Sequence, residues 1–162
     1  MSPQPTTSVA NNASRPPMEA PVTVLQDSGQ KVVLSICVPG LKKRQSIWLS
    51  ILSIFRKSRN PFRLASNAKF GAYSLSSTSL DFTVEVFDNK AAVKRPGSIC
   101  QKFFCKINKF PSRINAESAQ FELLEGASGD CYFVLTCVKL DNYTVNWKEY
   151  LATYGTLDSS QA

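Results

Sequence analysis

The stretch from Leu80 to Asp88 constrains the fold most, because apolar and polar residues alternate along it without interruption. The apolar residues are Leu80, Phe82, Val84 and Val86, and the polar residues between them are Asp81, Thr83 and Glu85. This two-residue period predicts a β-strand with one face on a core and the other facing solvent. A chain of 162 residues is long enough to enclose such a core in one domain.

Other stretches rich in β-branched and aromatic residues predict further strands. Val22–Val38 contains two runs separated by a turn at Asp27-Ser28-Gly29, and the second run is typical of a buried strand. Ala119–Glu125 and Cys131–Leu140 predict a hairpin, and the second of these is apolar almost throughout, as in a central strand. Weaker candidates are a short strand near Ala72–Leu75 and a strand or short helix at Ile99–Ile107.

Two segments have helical patterns. Residues 45–58 carry an apolar stripe at three- and four-residue spacing, which predicts an amphipathic helix that Pro61 cannot continue. Val145–Tyr154 predicts a C-terminal helix, capped by Thr144 and ended by Gly155. The predicted fold class is therefore α+β, with a mostly antiparallel sheet of about five strands packed with a central amphipathic helix and a C-terminal helix.

The composition changes along the chain and predicts three regions. Residues 1–21 are rich in Pro, Ser and Asn and have no helical or strand period, which predicts a disordered arm. Pro16-Pro17 in this arm could dock on a modular domain, although a plain solvated tail explains it as well. Residues 22–157 form the single basic domain, and residues 158–162 are expected to be a loose tail.

The segment 42–63 is a short apolar run between two basic clusters. The clusters are Lys42, Lys43 and Arg44 on one side and Arg56, Lys57, Arg59 and Arg63 on the other. Nine bases and no acid lie between Lys31 and Lys69, and the whole chain has a net charge of +7, which favours anionic partners. A second basic patch is expected at Lys102, Lys106, Lys109 and Arg113.

The apolar stripe of this segment has two explanations. Trp48, Ile51 and Phe55 could be core anchors of a helix packed on the sheet, or they could insert into a membrane or partner while the flanking cations meet anionic headgroups. The uncharged run 45–55 is too short to span a bilayer, and it is internal, so it is not a signal peptide.

The sequence lacks the residues that several kinds of catalytic and metal site require. The absence of histidine removes Ser-His and Cys-His nucleophile pairs and mixed zinc sites, and no glycine-rich phosphate loop is present. Glu122 and Glu125 are three apart in a predicted strand, so they would not converge. The five cysteines, without a zinc spacing, are expected to be reduced and structural. We therefore expect no enzyme, no metal, no cofactor and no small-molecule substrate.

The order of parts resembles the matrix proteins of rhabdoviruses, in particular the shorter, plant-infecting, cytorhabdovirus-like kind. The similarity covers about residues 30–110: the strand Lys31–Val38, the basic segment 42–63, and Phe70-Gly-Ala-Tyr73 followed by Phe82–Asp88. Pro16-Pro17-Met18-Glu19 lacks the tyrosine of a Pro-Pro-x-Tyr budding motif, so that function is not carried over.

The resemblance implies a non-enzymatic structural protein in the virion of an RNA virus. Such a protein associates with its own copies and bridges the nucleocapsid to an anionic membrane, in the host cytoplasm, at the inner membrane surface and in the nucleus. The basic residues of 42–63 would contact membrane or nucleocapsid, and the arm would dock on a neighbouring copy.

An alternative is a viral nucleic-acid-binding accessory protein, such as a silencing suppressor, movement protein or small capsid protein. Basic charge near aromatic side chains would permit stacking on single strands. The candidates for stacking are Phe70, Tyr73, Phe103 and Phe104. A third possibility is a host adaptor domain, which would be a stable monomer.

Overall fold

The computed structural model describes residues 15–43, 61 and 64–162, which form a mixed α and β structure that is mostly sheet. The elements within these residues are β1 (Met18–Glu19), β2 (Val22–Asp27), β3 (Lys31–Cys37), β4 (Ala68–Leu75), β5 (Leu80–Phe87), α1 (Lys90–Val93), β6 (Cys100–Ile107), β7 (Ile114–Glu125), β8 (Cys131–Lys139) and α2 (Trp147–Tyr154). The α+β class is confirmed. The expected sheet of about five strands is wrong, because the described residues form two sheets of four strands each. The predicted central helix lies outside the described residues.

Sheet B contains the strands β2-β3-β8-β7 in that order, and each neighbouring pair is antiparallel. The turn predicted after Asp27 joins β2 to β3, and Gly29 adopts a φ of 90°, a conformation that glycine reaches without strain. The predicted hairpin is also present, since β7 and β8 are joined by a turn in which Gly126 N donates to Asp130 O at 2.8 Å. β8 lies between β3 and β7, as its apolar sequence predicted.

Sheet A contains the strands β1-β6-β5-β4, with the long strand β5 inside it. The alternation that predicted β5 is confirmed, because Leu80, Phe82 and Val84 are buried whereas Asp81 is exposed. The segment at Ile99–Ile107 is the strand β6 and not a helix. The weak candidate near Ala72–Leu75 is longer than predicted, since β4 begins at Ala68.

The two sheets pack through their apolar faces around one continuous core. The ring of Phe82 in sheet A lies 6.3 Å from that of Phe133 in sheet B, and Tyr73 lies 5.7 Å from Phe121. Burial of each large apolar side chain contributes about 1.5–3 kcal/mol, so this interface stabilises the fold. A second sheet, where the sequence analysis expected helices, therefore covers the apolar face of β5.

The C-terminal helix α2 is present, with a different cap from the one predicted. Asn146, and not Thr144, is the N-cap, and its side-chain oxygen accepts hydrogen bonds from Lys148 N at 2.9 Å and Glu149 N at 3.2 Å. Gly155 ends the helix with a φ of 71°, as predicted. Either Asn or Thr can cap a helix, and the contacts of Trp147 decide where this helix begins.

Parts of the predicted arm and tail contact the domain. Met18 and Glu19 pair in parallel with Phe103 and Phe104 of β6, and Ala20 is buried. At the other terminus, the carboxylate of Asp158 is buried against the turn that follows β6. Residues 15–21 and Asp158 are therefore part of the folded unit, while residues 1–14 lie outside the described residues.

We expect acid to destabilise the protein through Asp158. Burial raises the pKa of Asp158, but hydrogen bonds from Ser160 and Asn108 outweigh that effect and hold the pKa at about 2. An unfolded aspartate titrates near pH ~3.9, so this contribution, about 2–3 kcal/mol, is complete above that pH and is lost as the pH falls through the folded pKa. Urea unfolding of the wild type and Asp158→Asn over a pH series should show a stability difference that shrinks in acid. A difference independent of pH would contradict the assignment.

Candidate functional site

Both ends of the basic segment are held at one end of the two-sheet structure. Lys43 pairs with Ala65 in an isolated antiparallel bridge, and Ser66 N donates to Lys42 O at 2.8 Å. The described residues on either side of the segment are Lys43 and Leu64. The segment therefore begins and ends at neighbouring positions, close to the start of β8, where Val38 N donates to Cys131 O at 3.3 Å.

A second group of cations is brought to the same end by the β5–β6 connection. Asn89 caps the short helix α1 by accepting from Ala92 N at 2.9 Å. This connection carries Lys90, Lys94 and Arg95, all exposed. Lys42 Nζ donates to Asp88 O at 2.9 Å, which places Lys42 and the start of this connection in direct contact. We call the surface formed by Lys42, Lys43, Lys90, Lys94 and Arg95 the basic end.

Among the residues that the structure describes, no cation of the basic end forms an ion pair with an acid. Within the part of the chain that the structure describes, the ion pairs are Lys102–Glu85, Arg113–Asp141 and Lys139–Asp27, and none includes a residue of the basic end. Lys42 contacts the backbone carbonyl of Asp88 and not its carboxylate. The acids Glu125 and Asp130 of the β7–β8 turn lie at the same end, since both act on the thiol of Cys131, as Lys43 does. Exposed cations that form no ion pair remain attractive to an external anion.

In the sequence, the excess positive charge of the chain is concentrated between Lys43 and Leu64. Five of the 19 basic residues and none of the 12 acidic residues lie at positions 44–60 and 62–63, so the remainder of the chain has a net charge of only +2. At the opposite end, where α2 packs, two of the cations are paired, Lys139 with Asp27 and Arg113 with Asp141. The nine-residue strand β8 separates the two ends by about 26 Å.

The predicted site residues are only partly described. Lys42 and Lys43 are exposed at the basic end. The remaining predicted contacts lie outside the described residues: Arg44, Arg56, Lys57, Arg59 and Arg63, with the apolar anchors Trp48, Ile51 and Phe55. The sequence analysis did not identify the group Lys90, Lys94 and Arg95. Its Lys-Ala-Ala-Val-Lys-Arg sequence was the available signal.

The second predicted basic patch is not a single surface. Lys102 contacts Glu85 at 3.6 Å across sheet A, whereas Arg113 is held by Asp141 near the opposite end of the molecule. Lys109 also lies at that opposite end, where its backbone N–H donates to Asp158 at 3.1 Å. Lys102 is separated from Lys109 and Arg113 because it lies near the start of β6, whereas the other two follow its end.

The aromatic residues proposed for base stacking differ in how far they are buried. Phe103 is buried, Phe70 packs 5.6 Å from Phe133, and Tyr73 packs on Phe121. Burial also raises the pKa of Tyr73 to about 12. Phe103 is therefore not available to a nucleic acid, Phe70 and Tyr73 are partly buried against the core, and Phe104 does not belong to the core cluster.

The described residues offer little for covalent or metal chemistry. Burial raises the pKa of Cys105 and of Cys137 to about 12, so neither thiol is a nucleophile at neutral pH. In residues 15–43, 61 and 64–162, no group of three or more possible ligands could hold a metal ion. No helix among these residues has the length and apolar character needed to cross a membrane.

The arrangement therefore suits electrostatic binding at one end of a rigid scaffold. Comparisons with protein-family models, with curated proteins and with solved structures find no match to this chain.

Proposed function

We propose that the protein is a non-enzymatic structural protein of the matrix type, which binds an anionic membrane surface through its basic end. The observation that carries this proposal is the contact of Lys42 Nζ with Asp88 O. It joins the start of the β5–β6 connection, which carries the exposed cations Lys90, Lys94 and Arg95, to the start of the acid-free segment. Bridging to a nucleocapsid and association between copies are supported by the resemblance in layout.

A membrane surface is preferred to a nucleic acid for two reasons. Of the four aromatic side chains proposed for stacking, Phe103 is buried, and Phe70 and Tyr73 are partly buried with their rings packed against the core. In addition, the sequence of the basic segment combines cations with Trp48, Ile51 and Phe55, and this combination is typical of interfacial binding to lipid. Each lysine or arginine close to an anionic leaflet contributes about 1 kcal/mol, so five exposed cations together are enough for measurable binding.

The test replaces Lys90, Lys94 and Arg95 together with glutamine. We expect the partition coefficient onto vesicles containing phosphatidylserine to fall by about a hundredfold, which corresponds to about 3 kcal/mol for three cations. Co-sedimentation with anionic and with neutral vesicles measures this change. The proposed residues are exposed, so folding should be unaffected, which circular dichroism can verify.

A charge-matched control separates location from net charge. Lys31, Lys109 and Lys148 are also exposed, but they lie at the α2 end. Replacing these three with glutamine makes the same change in net charge and should reduce vesicle binding much less. Equal losses in the two triple variants would show that only net charge matters. If the wild type ignores anionic vesicles but binds RNA with a steep salt dependence, the membrane proposal is wrong.

A further inference from the structure

Asn67 connects three parts of the chain that together carry the basic end. Its side-chain amide donates to Gly40 O at 2.8 Å and to Phe87 O at 2.7 Å, and its side-chain oxygen accepts from Lys42 N at 2.8 Å. Its own backbone carbonyl accepts from Phe87 N at 2.8 Å. Asn67 is completely buried.

Each hydrogen-bond partner of Asn67 lies within a few residues of a cation of the basic end. Gly40 lies just before the basic segment 42–63, Lys42 is the first residue of that segment, and Asn67 follows the segment by four residues. Phe87 precedes Asp88, whose carbonyl accepts from Lys42 Nζ, and then the helix α1. One buried amide therefore fixes the distance between the two groups of cations, those of 42–43 and those of 90–95.

We infer that Asn67 is the positioning residue that makes the basic end a single preorganised surface for an anionic membrane. This inference rests on the proposed function. Several cations add to the binding free energy only if they contact the charged surface at the same time. If their spacing is already fixed before binding, no conformational entropy is lost in ordering them. A buried amide with its three side-chain hydrogen bonds made is well suited to hold such a spacing, because losing any one leaves a buried group unsatisfied.

The test is Asn67→Ala, which leaves the charge of every cation unchanged. We expect weaker binding to vesicles containing phosphatidylserine, by about fivefold for each cation that no longer reaches the surface. The slope of log affinity against log salt concentration should also become shallower, since fewer cations engage together. Loss of stability alone would not change that slope for the folded protein.

Ser112→Ala is the matched control. Ser112 is also a buried polar residue, and it hydrogen-bonds Trp147 Nε1 at 3.0 Å and Asn142 O at 3.2 Å near α2, far from the basic end. This variant loses comparable buried hydrogen bonds and should keep both the wild-type affinity and the wild-type salt slope.

A second variant covers the case in which Asn67→Ala does not fold. Gly40 has a φ of 82°, so Gly40→Ala strains the backbone that presents the carbonyl to Asn67 and should weaken vesicle binding in the same way. Wild-type affinity and salt slope in the folded variants would overturn the role of Asn67 while leaving the proposed function intact. Absence of vesicle binding by the wild type would instead overturn both.

Discussion

Replacing Lys139 with methionine is expected to lower the free energy of unfolding by about 3–5 kcal/mol. The side chain of Lys139 has no exposed surface, and its ammonium donates to both carboxylate oxygens of Asp27, at 2.8 and 2.7 Å, and to Val145 O at 2.8 Å. Methionine keeps the volume but removes the cation. Asp27, whose side chain is only 2% exposed, would then remain as a buried carboxylate without a counter-ion.

The effect on Asp27 follows from its environment. Burial raises the pKa of Asp27, but the hydrogen bond from Lys139 and those from Trp147 N and Gly29 N outweigh it and hold the pKa below its usual value. Without Lys139, fewer hydrogen bonds oppose the effect of burial, so the pKa of Asp27 is expected to rise. The double variant Asp27→Asn with Lys139→Met contains no buried charge, and we expect it to recover part of the stability lost in Lys139→Met.

Urea unfolding measures both variants, and Arg113→Met is the control. Arg113 Nε donates to Asp141 at 2.7 Å, but this pair is exposed, so its loss should cost about 0–1 kcal/mol. If Lys139→Met costs no more than Arg113→Met, the buried pair is not a stabilising element of the fold.

Replacing Trp147 with alanine is the second large effect, and we expect it to lower the free energy of unfolding by about 3–5 kcal/mol. Trp147 is completely buried, and its ring stacks on Phe110 with 5.3 Å between centroids. Its indole N–H donates to Ser112 Oγ at 3.0 Å, and its backbone N–H donates to Asp27 at 2.8 Å. Alanine would keep the backbone contact, leave a large cavity and leave Ser112 without its donor.

Tyr154→Ala is the control within the same helix, since Tyr154 is 55% exposed. We expect this variant to cost less than about 1 kcal/mol, because most of its side chain is already in water. Near-ultraviolet circular dichroism and urea unfolding report the packing and the stability. A loss in Trp147→Ala as small as that in Tyr154→Ala would mean that α2 is not anchored through its first residue.

The two large effects should not add. Trp147 and Lys139 both contact Asp27, so the double variant Lys139→Met with Trp147→Ala should cost less or more than the sum of the single variants by at least about 0.5 kcal/mol. This shared carboxylate joins the end of β2, the end of β8 and the start of α2. All three donor positions of the Lys139 ammonium are used, so the buried charge here stabilises the fold and is not available for chemistry.

The two ends of the molecule therefore have different roles. Lys139 and Arg113 at the α2 end are paired, and the pair Lys139–Asp27 holds a helix in place. The five described cations of the basic end have no acidic partner among the described residues, and the acid-free segment begins and ends beside them. A basic surface on one end of a rigid body is the arrangement on which the proposed membrane contact depends.

The sequence alone determined the strands whose local pattern is strong. β5 and the hairpin of β7 and β8 were predicted because alternation and turn residues act over a few neighbouring positions. The sequence also determined the imbalance of charge, since the acid-free segment 42–63 can be read directly. It predicted neither the number of sheets nor the contacts of the arm, because a strand's own pattern shows which face is buried and not which strand covers it.

Only the tertiary structure decided the partners of individual charges. Lys139 was simply the penultimate residue of an apolar run, and Asp27 a turn residue, until the fold brought together positions 112 residues apart. In the same way, Lys90, Lys94 and Arg95 joined Lys42 and Lys43 only because the ends of β3, β4 and β5 meet at Asn67. Ion pairs and charged surfaces depend on distance in space, which strand order sets and sequence spacing does not.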